Sequence, residues 1–397
     1  QDISREKVTG SVSTVSAEKL EDRYMPSLMD NLEGRVAGLT TYGDKTTIRG
    51  TSSLYASTNP LLVVDGLPIE GSIDDLNPYD IESVTVLKDA AAAAIYGARA
   101  SNGIIVVKTK GAKEKGKINI DFSANLTVWE KKNMDYAANF YMTPEQQVQT
   151  ERDFYDWYYF GGGATDPASA VEQAISTGMG AISPIDYAYY QLYKGTITQG
   201  ELDARMEQLS RNNFAKEYAD HALCNQVLQQ YNLAVRSNTE KSSSNLVINY
   251  KYDNSGIINA YDNQFNITYK GSYDIAPWLT VRFTANGIFN NKQANASELA
   301  TNPFNVPAYT SLLNDDGSTT ALYTLNEYYE EGQSNSDFRR LGFNHLEELN
   351  YNLQRTRRQN LRYQGELLFK PIEGLTVNAQ FVYESERNTL STYYEED

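Results

Sequence analysis

From Lys117 onward the chain alternates apolar and polar residues, and the polar positions include full charges. Ile118, Ile120, Phe122, Ala124, Leu126 and Val128 fall on one face of an extended segment, and Asn119, Asp121, Ser123, Asn125 and Thr127 on the other, because strand side chains point to opposite sides with period two. The pattern returns at Tyr231/Leu233/Val235, Leu246/Ile248/Tyr250/Tyr252, Phe265/Ile267/Tyr269, Leu279/Val281/Phe283/Ala285, Leu361/Tyr363/Gly365/Leu367/Phe369 and Leu375/Val377/Ala379/Phe381/Tyr383. This predicts about seven strands, several near the roughly nine to eleven residues that cross a bilayer at a tilt. The opposite face carries Lys251, Lys270, Arg282, Arg362 and Glu366 among Asn249, Asn266, Thr268, Thr284, Asn286 and Gln364. Such a face cannot line a dry core without extensive pairing, but it can face water. A soluble antiparallel sheet with one wet face gives the same alternation. Strand length favours a membrane barrel, as does the expected position of Tyr252, Tyr273, Trp278, Phe289 and Tyr383 near strand ends, where an interfacial girdle lies.

The connections alternate in length. Asn238–Ser244, Ala276–Trp278 and Ile372–Gly374 are tight, whereas about 133–230 and about 290–358 are long, the arrangement of outer-membrane barrels. Within the first long loop, Thr198–Leu209 and Ala215–Leu228 show helical spacing, and the segment FYDWYYFGGG (Phe154–Gly163) forms an aromatic cluster. Gly161–Gly163 reads as loop, since no strand–helix frame makes it a phosphate cradle. An odd number of strands with open edges is not a finished barrel, because unpaired backbone groups in lipid are costly. The expectation is an incomplete barrel wall, about seven strands of a larger one, over residues 117–397.

Residues 1–116 read as a compact α+β module. Val8–Val15 alternates weakly, Ser16 can cap a short helix through Leu20, and Ser27 a second one spaced Leu28/Leu32/Val36 with Gly38 as its stop. Thr46–Ser53 reads as a strand entering a loop. Asp65-Gly66 signals a turn between two apolar runs, and Asn77-Pro78 another, with Asp80 as a candidate cap. Val84–Leu87 is a strand. Asp89 caps Ala90–Tyr96, whose five consecutive alanines favour a helix that packs closely, and Gly97 stops it. Asn102-Gly103 turns into the strand Ile104–Val107, and Gly111–Gly116 is a charged linker.

With 51 acidic and 35 basic residues the net charge is −16, which argues against nucleic acid as a partner. One cysteine, Cys224, and two histidines, His221 and His345, make a disulfide framework or a His/Cys metal cluster an unpromising reading. Acidic pairs such as Asp74/Asp75 and Asp315/Asp316 fit a solvated loop better than a calcium site. The 30 tyrosines suit strands, membrane boundaries and sugar- or peptide-binding surfaces alike. No apolar run is long enough for a membrane-crossing helix, which leaves barrel strands open. Absence of a signal peptide makes Gln1 a trimmed start or the protein a non-exported one.

The run VVDGLPI (Val63–Ile69) followed by LNPYDIESVTVLKDAAAAAIYGARASNGIIVVKTK (Leu76–Lys110) resembles the plug domain of TonB-dependent outer-membrane transporters, and more narrowly their SusC/RagA-like branch. VTGSVSTVSAEKL (Val8–Leu20), LEGRVAGL (Leu32–Leu39) and the T-I-R-G run from Thr47 fit the same plug, and NLAVRSNTEKSSSNLVINYKYDNSGII (Asn232–Ile258) resembles that branch's early barrel strands. The chain departs from the branch between LEGRVAGL and T-I-R-G, where only Thr40–Thr46 intervenes in place of a longer Gly/Ser-rich segment. The resemblance implies a plug that fills a barrel, with the TonB box expected before Gln1. It implies active import of oligosaccharides or peptides across the outer membrane of a Gram-negative bacterium. The implied partners are TonB with its inner-membrane energising complex, a SusD-like surface lipoprotein as lid, and outer-membrane lipid. No cofactor, metal or catalytic role is implied.

By the same resemblance Arg49 and Arg99 are plug arginines that pair with barrel carboxylates, against the plainer reading of solvated or plug-internal pairs. Arg49, Ser52 and Tyr55 on the plug, and Tyr155, Trp157 and Tyr158 in the first long loop, are the candidate ligand-binding residues. The loop aromatics equally fit the core of an ordinary loop. Asp65-Gly66 reads as structural. Two other classes compete: a passive outer-membrane porin or receptor, which would lack the plug motifs, and a secreted glycan-binding or glycan-cleaving β protein. An enzyme would need a convergent catalytic set, and spacing singles out no carboxylate pair.

Overall fold

The computed structural model describes residues 12–21, 28–42, 45–48, 59–69, 73, 76–88, 102–111, 115–134, 136, 139–178, 180–295, 306–323 and 342–393. The strands are β1 (Val12–Ser16), β2 (Leu39–Tyr42), β3 (Lys45–Ile48), β4 (Leu61–Val64), β5 (Leu67–Ile69), β6 (Ile81–Leu87), β7 (Ile104–Thr109), β8 (Lys117–Trp129), β9 (Gln226–Asn238), β10 (Ser242–Asp253), β11 (Tyr261–Ala276), β12 (Leu279–Asn295), β13 (Leu322–Tyr323), β14 (Gly342–Phe343), β15 (Leu353–Phe369) and β16 (Val377–Tyr393).

Five short strands form an inner sheet in the order β1-β6-β7-β4-β5. Only β4 and β7 run parallel, with Leu61–Val64 opposite Ile104–Val107, the two apolar runs of the sequence. Asp65 (φ 49°) and Gly66 (φ 87°) make the tight turn from β4 to β5, a primed turn that matches strand twist. Two short helices, α1 (Ala17–Glu21) and α2 (Leu28–Leu32), flank this sheet. Leu28, Leu32, Val84 and Val107 are among the fully buried residues of its core. The helix expected to run to Gly38 ends at Leu32, because Gly34 takes a left-handed conformation (φ 76°), and Val36 is buried from the turn that follows. The Ala90–Tyr96 helix with its Asp89 cap lies outside the described residues. Asn77, not Asp80, caps the segment after Asn77-Pro78: its side chain accepts the Tyr79 amide at 3.1 Å over the 3-10 turn Pro78–Asp80.

Seven long strands form a second sheet, the wall, ordered β16-β15-β12-β11-β10-β9-β8. Each pair of neighbours is antiparallel. The strands exceed the predicted nine to eleven residues, reaching 16 in β11 and 17 in β12, β15 and β16. At about 3.3 Å per residue even a tilted strand of that length projects beyond a hydrocarbon layer about 30 Å thick. Extra length explains a second difference: Phe289 and Tyr383 fall inside β12 and β16, opposite Phe265 and Tyr363, not at strand ends. Trp278 does sit at an end, edge-on to Phe369.

The wall is inside-out. Ile120 and Phe122 are 66% and 67% exposed, whereas Asn232, Asn249 and Arg236 are 4%, 3% and 7% exposed. A soluble sheet buries its apolar face; this one presents it outward and packs its polar face against the inner sheet, as a lipid-facing wall must. Glycines on the outer face make room for aromatic rings. A Cβ on Gly271 would lie 2.7 Å from the Tyr273 ring, and the Tyr269 and Tyr273 hydroxyls meet across that glycine.

The connections Thr239–Lys241, 277–278 and 370–376 lie at one end of the wall, and 254–260 and the two long ones, 130–225 and 296–352, at the other. The first long connection is mostly helical: α3 (Pro144–Phe160), α4 (Ser169–Thr177), α5 (Pro184–Tyr193), α6 (Gln199–Arg211) and α7 (Phe214–His221). Capping boxes at Thr143/Gln146 and Thr198/Glu201 start α3 and α6. The helix expected over Ala215–Leu228 ends at His221, because Leu223 bridges to Ile257 and Leu228 pairs with Thr127 as part of β9. A last helix, α8 (His345–Tyr351), precedes β15. No helix among the described residues is long and apolar enough to cross a membrane.

The glycine seat of the two tyrosines is testable. Gly271→Ala is expected to push the Tyr273 ring aside and destabilise the wall by about 1 kcal/mol, read as a lower temperature for loss of the folded band in heat-modifiability gels; an unchanged transition would show that the ring yields freely.

Candidate functional site

The polar face of the wall meets the inner sheet through named side chains. The buried Arg236 side chain of β9 bridges two carboxylates, Asp80 of the inner module at 3.3 Å and Asp121 of β8. Burial raises the Asp80 carboxyl above the usual range, and the nearby Lys270 and Arg236 charges pull it back down. A second ion pair joins Lys270 of β11 to Asp65, whose two oxygens also accept the Thr109 amide and hydroxyl, each at 2.9 Å. Asp65 is thus both a turn residue and a tie to the wall. Neutral contacts complete the joint: Asn77 donates to Asn232 at 2.5 Å, Asn125 to the Tyr79 hydroxyl, and Asn245 to the Lys110 carbonyl at 3.0 Å.

Strand register lines up amides across the wall. Asn232 faces Asn249, Asn249 faces Asn266, and beyond Ile288 the row continues at Asn360. All four asparagines are buried. Next to this row lies a cavity of about 440 Å³, bounded by Asp65, Ile69 and Leu76 of the inner module and by Thr268, Thr284, Arg362 and Gln364 of the wall.

Of the predicted residues, Arg49, Ser52, Tyr55 and Arg99 lie outside the described residues. In the plug–wall ion pairs that the structure describes, the carboxylates Asp65 and Asp80 are on the inner module and the cations Lys270 and Arg236 on the wall. Arg236 had a legible signal, a charge at an inward position of the alternation between Ala234 and Asn238.

Tyr155, Trp157 and Tyr158 sit on helix α3, not in an irregular loop, and none of them lines the cavity. Tyr155 lies 5.7 Å from Tyr189 in a core that includes Tyr159 and Tyr309, with Tyr158 packed at its edge. Trp157 is 55% exposed, and the backbone of Gly161 and Gly163 folds against it so closely that neither position has room for a Cβ. Three tyrosine hydroxyls donate to carboxylates in this cluster: Tyr309 to Glu151 at 3.0 Å, Tyr159 to Asp186 at 2.9 Å and Tyr189 to Asp156 at 2.9 Å. Burial pushes Tyr155 up to about 12 and raises Tyr159, Tyr189, Tyr309, Glu151 and Asp186. Asp316 accepts the Ser318 amide and hydroxyl within a turn; Asp74 and Asp75 lie outside the described residues. No metal-holding group of His, Cys, Asp or Glu occurs among the described residues.

With fold and joint in view, similarity to known proteins is informative. Residues 4–104 match the TonB-dependent Receptor Plug Domain family. The chain is 36% identical over 141 residues to the TonB-dependent receptor SusC of Bacteroides thetaiotaomicron, covering 32% of this chain and 14% of that protein. It is 31% identical over 196 residues to the TonB-dependent receptor P39 of Formosa agariphila, covering 47% of this chain and 18% of the relative. Among solved structures, the RagAB peptide transporter superposes with a TM-score of 0.67 at 23% identity, over 97% of this chain and 42% of that one. The RagAB importer in its open-open state gives 0.69 at 22% identity, over 99% and 42%. The chain therefore spans less than a fifth of these curated relatives' length and under half of the structural neighbours'. It carries a TonB-dependent receptor plug followed by antiparallel barrel strands, with the fold of a SusC/RagA-like transporter.

Two outcomes follow from the geometry. Arg236→Ala strands a buried Asp80 and is expected to loosen the inner module by about 3 kcal/mol or more, seen as faster proteolysis of that module in membranes; combining Arg236→Met with Asp80→Asn should recover most of the loss. The tyrosine cluster should be alkali-labile. Each of its four tyrosines binds its proton more tightly folded than unfolded, so their contribution is complete below the unfolded value of about 10 and falls as pH rises towards about 12. Glu151 and Asp186, raised by burial, lose nothing on acidification. Tyrosinate absorbance and helical circular dichroism should change together above pH about 10; ionisation without loss of helix would contradict this assignment.

Proposed function

We propose that this chain is part of a transporter that imports oligosaccharides or peptides across the outer membrane of a Gram-negative bacterium, energised through TonB and working with a SusD-like surface lipoprotein. The reading rests on one observation: an inside-out wall is tied through the buried Arg236–Asp80 pair, the part-exposed Lys270–Asp65 pair and amides to a folded module that stands against its polar face. Passage along such a wall requires those ties to break. The buried Arg236–Asp80 pair is strongly destabilised when one partner is withdrawn, so breaking it needs work from outside. The names of the similar proteins, a TonB-dependent receptor SusC and a RagAB peptide transporter, support that source of work and, of the two cargo classes, peptide. The membrane-facing belt of Ile118, Ile120, Phe122 and Leu126 supports the outer-membrane location.

Arg49, Ser52 and Tyr55 are proposed as ligand contacts on the plug, and Tyr155, Trp157 and Tyr158 as contacts near the mouth. Trp157 is the best placed, being exposed. Residues 1–116 are proposed to move as the plug and 117–397 to stay as wall.

The full-length protein should fractionate with outer membranes, and uptake of labelled oligosaccharide or peptide mixtures by cells carrying it should vanish when TonB is deleted. Uptake that persists without TonB would favour a passive pore; recovery as a soluble protein would end the proposal.

A further inference from the structure

Above its apolar belt the outer face of the wall becomes basic. The registers of β12 with β15 and of β15 with β16 run without a shift, so alternation holds along their whole length. The face that carries the exposed Phe283, Leu367 and Phe381 therefore carries Arg355, Arg357 and Arg387 nearer the long connections. Their partners across the strands are uncharged: Arg355 stands opposite Gln293 and Ser391, Arg357 opposite Asn291 and Thr389, and Arg387 opposite Gln359. Carboxylates of the same stretch, Asp262, Glu384 and Glu386, fall on the inner face, where Glu386 pairs with Arg358 at 3.0 Å. In a chain of net charge −16, three cations are thus gathered on one lipid-side patch.

The gathering has a cost that an anion would offset. Arg357 and Arg387 are diagonal cross-strand neighbours, about 7–8 Å apart at the backbone, and like charges that close repel. Arg355 is two residues from Arg357 on the same face. Its place is set before any ligand arrives, because its Nε donates to Gln293 at 2.6 Å and its guanidinium lies 5.0 Å from the centre of the Tyr393 ring. Guanidinium forks match phosphate oxygens in pairs. Position selects the kind of phosphate. Arg387 lies one cross-strand pair beyond Leu361, the last aliphatic residue of the belt on β15, and Arg357 lies two pairs beyond it, about 7 and 13 Å along tilted strands. That is the depth of the headgroup layer, which adds several ångströms on each side of the hydrocarbon.

We propose that Arg355, Arg357 and Arg387 form a site for the phosphate groups of a lipid headgroup in the outer leaflet. The proposal rests on the outer-membrane placement of the wall, with its long connections outside, and is independent of the cargo. Charge complementarity and continuity with the lipid-facing belt both name this occupant. Basic side chains at a membrane surface each strengthen the hold on anionic lipid.

The test uses the full-length protein in micelles of neutral detergent, with three probes: lipid A carrying its phosphates, the same lipid dephosphorylated, and inorganic phosphate. Native mass spectrometry reads the bound lipid. The phosphorylated lipid should bind at least about tenfold more tightly than the dephosphorylated one, and excess inorganic phosphate should not displace it. The double variant Arg357→Gln/Arg387→Gln should lose that preference, and Arg357→Lys/Arg387→Lys should keep most of it. Lys251→Gln/Lys292→Gln, which removes two charges from the inner face, should bind as the unaltered protein does. Equal binding of the two lipids by the unaltered protein would overturn the site whether or not any variant folds. Undiminished preference in the glutamine variant, an equal loss in the inner-face variant, or displacement by inorganic phosphate would overturn it too. Any of these in a protein that fractionates with outer membranes sinks the lipid site alone; recovery as a soluble protein sinks the membrane placement with it.

Discussion

A strand in lipid cannot leave its backbone groups to water, and that constraint orders the rest of this molecule. The five inner wall strands pair with antiparallel neighbours on both sides, and β8 and β16 on one, so the apolar side chains are free to face outward. With the apolar residues committed to the outside, the polar ones have only the interior. A polar interior is tolerable if it is hydrated or filled with matching polar groups. The inner module does the filling, presenting Asp65, Asn77, Tyr79 and Asp80 to the wall. The five-stranded sheet has its own apolar core of Leu28, Leu32, Val84 and Val107. The wall therefore does not supply that core; it supplies hydrogen-bond and charge partners.

Much of this was legible in the sequence because period two is a strong signal when repeated. Alternation at Ile118–Val128 and at Leu361–Phe369 located strands and their faces, and Asp65-Gly66 located a hairpin. Strand ends were less legible, since alternation says where a strand runs and not where the bilayer stops; Phe289 and Tyr383 were misplaced for that reason. The helices of the long connection were harder. Helix α3 carries its aromatics on several faces, Phe154, Trp157 and Phe160 outward and Tyr159 inward, so no clean apolar stripe marks it. The helix α7 boundary was lost because Leu223 and Leu228 continue an apolar spacing although strand pairing has begun.

The joint itself was the least legible part. Asp65 and Asp80 carry ordinary turn and cap signatures, and their second role depends on where Lys270 and Arg236 stand. Those partners are 205 and 156 residues away in the chain. No local pattern encodes such a pairing. What the sequence does show is the demand: a wall face with charges at mid-strand must meet something, and the carboxylates of the inner module answer it.

The row of asparagines across β9, β10, β11 and β15 has a consequence for the medium in which the molecule works. Amides do not titrate, and their hydrogen bonds are not screened by dissolved ions as exposed charge pairs are. The bonds of Asn232 to Asn77 and of Asn249 to the Tyr231 carbonyl therefore keep their strength whether the surrounding fluid is acid or neutral, dilute or saline. The ion pairs Arg236–Asp80 and Lys270–Asp65 beside them, and Asn360 on the Glu384 carboxylate, are the parts of the joint that the medium can reach.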